Sequence, residues 1–171
     1  MSAPRTSARI VLLDHDDAVL LLCGSDPAIT DGSAPRWWFT VGGQARRGES
    51  LAAAAARELA EETGLRVRPG RLVGPVWRRD AVFRFNGAVI SSAEFFFVHR
   101  TPRFAPSTAG HTVLERGYIH DHRWCDATEI AELTAAGQQV YPLQLGGLLT
   151  EAGRLADRPD AQPGAQPRPI S

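Results

Sequence analysis

Glu58, Glu61 and Glu62 stand at i, i+3 and i+4, so a helix carrying them sets all three carboxylates on one face. A fourth, Glu49, precedes that helix. Like charges packed this way repel, and no neighbouring run of lysine or arginine offsets them. A divalent cation turns the repulsion into attraction. Metal sites built from hard oxygen ligands of this kind usually hold phosphate chemistry. The plainer alternative is a solvated acidic face, the commoner fate of charges on a helix.

Those carboxylates need a helix and an entrance to it. Ser50 is a good N-cap, an alanine-rich segment runs from it to Thr63, and Gly64 supplies the stop. Leu51, Ala52, Ala55, Ala56 and Leu59 form an apolar stripe beside the acids, with small residues that allow close approach to a sheet. The preceding loop, 42–48, holds three glycines, so backbone groups can come close to a ligand, and a helix N-terminus behind it attracts anions.

The spacing resembles the signature of the Nudix hydrolase family, G-x5-E-x7-R-E-U-x-E-E-x-G-U, where U is a bulky aliphatic. Gly43, Glu49, Arg57-Glu58-Leu59, Glu61-Glu62 and Gly64-Leu65 fill every fixed position. The resemblance implies an α/β fold, an α/β/α sandwich with a central mixed β-sheet, over residues 8–153. It also implies hydrolysis of a nucleoside diphosphate linked to another moiety. Carried over, Glu58 and Glu62 are direct ligands for Mg²⁺ or Mn²⁺, with Glu61 and the Gly43 carbonyl beside them. Glu49 binds metal or ties down Arg57, which orients the acidic helix. Cations would neutralise the diphosphate and activate a water, and a nearby carboxylate would take its proton. The chain has Thr40-Val41-Gly42-Gly43 where relatives often carry Leu-Pro-Gly-Gly, so this turn lacks the stiffening of proline.

Residues outside the motif add candidates. Family members often place an extra acidic residue where Glu115 stands, as ligand or base; otherwise it is a solvated loop residue. Glu94 points into the cleft or lies on the solvent face of its strand. Trp38, with Trp37 and Phe39, stacks a base or fills the core. Arg46 and Arg47 contact phosphate or sugar, or face solvent. His111, His120 and His122 lack zinc-ligand spacing and are expected at the surface. Downstream marks of known subgroups are missing: Ala81 stands where the ADP-ribose type has proline, and Val82 and Phe83 where the dinucleoside polyphosphate type has tyrosine. A nucleoside triphosphate or related nucleotide remains the preferred substrate. A Nudix-fold module that binds a nucleotide without cleaving it is the competing class, and the intact glutamate set favours the hydrolase.

The remaining features bound the setting. The 171 residues, 43% hydrophobic and 22% charged, suit one domain, here 8–154. A flexible N-terminus (1–7) and a disordered proline- and alanine-rich tail (155–171) are expected around it. Nineteen basic and nineteen acidic residues leave no net field, so stable nucleic-acid binding is not expected. Arginine dominates the basic side, which favours bidentate oxyanion contacts. No run is long enough to span a membrane, Cys23 and Cys125 read as free thiols, and the cytoplasm is the expected location. Many relatives dimerise, which leaves a homodimer open.

Elements read along the chain are a hairpin (8–13, 18–23), a short strand at 37–41, extended pieces at 66–69, 71–78 and 81–85, and a tight Asn86-Gly87 turn into 88–98. A long loop (101–118), a short strand (122–124) and helices ending near 136 and 154 follow, the second with Pro142 in its first turn.

Overall fold

Alternate residues of the first strand build two cores at once. The computed structural model describes residues 3–158 and 166–171. In β1 (Arg5–Leu13), Ile10 and Leu12 pack with α1 (Leu51–Thr63), while Val11 and Leu13 join the opposite face. That second face is covered by α3 (Ala127–Ala135) and α4 (Leu145–Ala156). A sheet clothed by helices on both sides is an α/β/α sandwich, as expected.

The sheet is mixed. Its order is β6-β2-β3-β1-β5-β4-β8, with β7 (Gln139–Tyr141) on β3. The members are β2 (Val19–Gly24), β3 (Trp37–Gln44), β4 (Val73–Phe85), β5 (Ala88–Arg100), β6 (Ile119–Cys125) and β8 (Arg168–Pro169). β1 runs parallel to β5, β3 to β7 and β4 to β8; the other pairs are antiparallel. No helix among the described residues is long and apolar enough to cross a membrane.

The hairpin of β1 and β2 forms its turn but scarcely pairs: Leu13 faces Val19, and then β3 comes between the strands. Residues 37–40 of β3 pair with β2, and residues 41–44 pair with β1. Asp14 fixes the turn by accepting from the amides of Asp16 and Ala18. The Asn86-Gly87 turn is as the sequence predicts, both residues having positive φ and Phe85 facing Ala88. The expected breaks at 66–85 reduce to a 3₁₀ turn (Pro69–Arg71) followed by one continuous strand.

Four expectations need correction. The 101–118 loop ends in α2 (Val113–Tyr118), begun by a capping box between Thr112 and Glu115. α4 starts at Leu145 instead of in the turn of Pro142. Residues 5–7 belong to β1, with Ser7 buried and its Oγ 2.9 Å from Ser92 Oγ. The tail is not wholly disordered: Ile170 donates its amide to the Arg78 carbonyl and packs on the core, and Ser171 bonds Gln144. Composition hides this because one isoleucine and a free strand edge suffice to seat so short a segment. The intervening 159–165 part of that expectation lies outside the described residues.

Candidate metal centre

Helix α1 forms between the two signals read in the sequence. Ser50 Oγ accepts from the Ala53 amide at 3.1 Å, and Gly64 closes the helix at φ 82° with its N–H on the Ala60 carbonyl. Its buried stripe is rotated from the expected one: Ala54, Ala55 and Leu59 are fully buried, while Leu51, Ala52 and Ala56 pack only partly. The rotation has a consequence for the acids. Glu58 and Glu62 turn inward with the stripe, and Glu62 is 1% exposed.

Glu62 Oε1 accepts from the Gly42 amide at 2.7 Å, and its Oε2 is buried with no partner among the described residues. Gly42 can make that contact only because it lacks a side chain: φ is 138°, and a Cβ would fall 2.2 Å from the Ala8 carbonyl oxygen. Glu58 lies against Gly43, where a Cβ would sit 2.8 Å from Oε1. α2 brings Glu115 to the same point, held by the Thr112 amide at 2.9 Å. Ligand oxygens of Glu58, Glu62 and Glu115 all lie within 4.8 Å of one another. Burial first, and then the charge of Glu58, push the Glu62 carboxyl well above the ordinary carboxylate range against the pull of Arg9 and the Gly42 amide. Burial raises Glu58 as well, with Arg57 opposing. An all-carboxylate set, buried and with one oxygen unsatisfied, suits a hard divalent cation.

The other two acids are differently placed. Arg57 grips Glu49 with Nε (2.9 Å) and Nη2 (3.0 Å), and the Arg46 amide adds a third bond to that carboxylate. Its Nη1 reaches Glu58 at 3.0 Å and Glu61 at 3.2 Å, and Nη2 also donates to the Gln44 carbonyl. The Arg57 hydrogen bonds hold Glu49 down at about 2. The acids are therefore not without a basic partner: one arginine threads between them.

A cleft of about 850 Å³ opens from the carboxylates. Glu58, Glu61, Glu115, Gly43 and Arg46 line it, and so does Glu94, which is buried against Arg79 (3.0 Å) and Arg9 (3.5 Å) rather than on a solvent face. Phe39, Tyr118 and Phe85 form a connected aromatic wall, with ring centroids 6.3 and 5.0 Å apart. Two expected residues are not brought together with these. Trp38 is buried in the α3–α4 core with Nε1 on Gln138, because strand alternation turns Phe39 and not Trp38 toward the cleft. Arg47 is exposed and does not line the cleft.

His111, expected at the surface, is buried, and its Nε2 lies 2.9 Å from the Glu62 carbonyl oxygen. A carbonyl only accepts, so this nitrogen carries the proton. The contact ties α1 to the segment that leads into α2. Thr112-x-x-Glu115 was the readable signal for that segment. No pattern in the sequence marks Arg9, Arg79 or Tyr118 as cleft residues.

The NUDIX domain model matches residues 3–144. The chain belongs to the Nudix hydrolase family. No curated protein matches it. Among solved structures, this Nudix chain is similar to the MutT protein from Methanosarcina mazei Go1, with 19% identity and a TM-score of 0.56 over 90% of this chain and 96% of that one. It is also similar to the E. coli dihydroneopterin triphosphate pyrophosphohydrolase, at 18% identity and a TM-score of 0.57, covering 88% and 97%. A C. elegans Ap4A hydrolase binary complex matches at 19% identity and 0.54, covering 90% and 98%. At these identities the likeness establishes the Nudix fold and not the substrate.

Proposed function

We propose that this Nudix chain is a divalent-metal-dependent pyrophosphohydrolase that cleaves a nucleoside diphosphate linked to another moiety, a nucleoside triphosphate or related nucleotide. The observation that carries the reading is the convergence of Glu58, Glu62 and Glu115, the first and last of which line a cleft with an aromatic wall. These three would hold Mg²⁺ or Mn²⁺, with Glu61 and the Gly43 carbonyl beside them. When bound there, the cation neutralises the diphosphate and lowers the pKa of the attacking water. Glu115 Oε1 is engaged by the Thr112 amide, so its Oε2 would serve as ligand or as base, and Glu58 would take the other role toward that water. Glu49 keeps Arg57 extended across the helix, so that Glu58 and Glu61 stay aligned. Phe39, Tyr118 and Phe85 offer faces for a base, and Arg46 offers charge to phosphate.

A screen of nucleotide classes with Mg²⁺ and with Mn²⁺, reading released phosphate or pyrophosphate, tests this. At least one class should turn over, and EDTA should stop it. The absence of hydrolysis of every class with both metals would sink the proposal.

A further inference from the structure

Across the sheet from the carboxylates, one acid is divided between two arginines. Glu94 Oε1 lies 3.5 Å from Arg9 Nη2, and Oε2 lies 3.0 Å from Arg79 Nε. Glu94 is 3% exposed, so this group of one negative and two positive charges sits in the cleft wall largely out of water.

The two arginines are not equally neutralised. Arg9 also donates to the Gly42 carbonyl at 2.8 Å and stands between Glu94 and the glutamates of α1. Although burial works against its charge, Glu94, Glu62 and Glu58 together hold it above the usual guanidinium range. Arg79 has only Glu94, and that contact is off-line: its Nε is buried without a hydrogen bond among the described residues. Its guanidinium carbon lies over the Tyr141 ring, 5.4 Å from the centroid, and the side chain lines the cleft. Burial lowers Arg79, and the charge of Arg9 adds to that against Glu94.

A largely buried guanidinium that shares its one carboxylate partner with a second arginine and packs on an aromatic ring is suited to a planar pair of oxygens. We propose that Arg79 is the base of a second anion subsite in the cleft, taking a phosphate monoester or other oxyanion carried by the substrate outside the cleaved diphosphate. The proposal rests on the hydrolase reading for its substrate, but the subsite itself can be tested without turnover.

The first arm titrates the metal-free protein in EDTA with inorganic phosphate. Wild type should bind about 10-fold or more tightly than Arg79→Gln, the loss expected for a charge-assisted bond. Arg79→Lys, which keeps the charge beside Glu94 but not the fork, should fall between them and guards against misfolding of the first variant. Equal phosphate affinity in wild type and Arg79→Lys, as well as in a folded Arg79→Gln, overturns the subsite.

The second arm compares nucleoside triphosphates with the same compounds bearing an extra phosphate monoester on the ribose. In wild type the extra phosphate should raise kcat/KM about 10-fold through KM, and Arg79→Gln should abolish the difference. Equal kcat/KM for the pair in wild type, or equal losses for both members in Arg79→Gln, overturns it. If no nucleotide is cleaved, the hydrolase reading fails, and the phosphate titration still decides the subsite.

Discussion

Glu49 and Glu62 stand thirteen positions apart in the same motif and meet opposite fates. Glu49 accepts two bonds from Arg57 and one from the Arg46 amide, and its pKa drops to about 2. Glu62 accepts one bond from Gly42, keeps Oε2 unpartnered and is pushed well above the ordinary range. The first carboxylate is a finished part of the scaffold. The second, on the proposed reading, is a metal ligand: its buried, unpartnered oxygen costs stability that a bound cation would offset.

The largest effect that could break this contrast is expected at Glu62. Glu62→Gln should lower kcat/KM with Mg²⁺ by on the order of 10²-fold, since even residues behind metal ligands are worth 10–100-fold. In EDTA the same change should raise the melting temperature by roughly 2–4 °C, because a neutral amide facing Glu58 and Glu115 replaces a third repelling charge. A lower melting temperature in EDTA would mean that Glu62 is scaffold after all.

Arg57 probes the finished end. Arg57→Ala strips Glu49 of its main partner and frees Glu58 and Glu61, so urea denaturation should record a loss of about 3 kcal/mol. A loss below about 1 kcal/mol would reduce these pairs to ordinary surface bridges.

The smallest and sharpest effect is in the pH dependence. Glu49 has a lowered folded pKa, so its stabilisation is present above the unfolded value of about 4.3 and is lost as pH falls toward about 2. Glu58 and Glu62 have raised folded values, so their cost is absent below about 4.3 and grows as pH rises through the raised range. Metal-free protein should therefore gain stability on acidification from neutral pH toward pH 5 and lose it below pH 4. Saturating Mg²⁺ should remove the first limb and spare the second. Thermal melts with and without EDTA read both, and a first limb that persists in Mg²⁺ would separate the raised carboxyls from the metal site.

How much was legible follows the same division. The helix of α1, its Ser50 cap and its Gly64 stop are local chemistry, and they stand where the sequence places them. The acids were legible as a set but not in their pairing, because the rotation of the buried stripe depends on how the helix meets the sheet. Glu115 could be suspected from family resemblance, whereas its delivery by α2 and His111 depends on a docked loop. Arg9 and Arg79 were invisible for the opposite reason to Trp38. Single arginines in strands carry no pattern, and an aromatic run carries too strong a one: only alternation across β3 decides that Phe39 faces the cleft and Trp38 the core. The β7 and β8 strands are too short to show a period.

Gly42 ties these observations together. Its amide reaches Glu62 only where its own backbone nearly touches Ala8. The site is thus encoded partly by an atom that is missing, and any other amino acid there would put a carbon where the neighbouring strand already has an oxygen. Position 42 is a point where two strands are set at backbone contact, and a side chain there would have to move β1 before it could be accommodated.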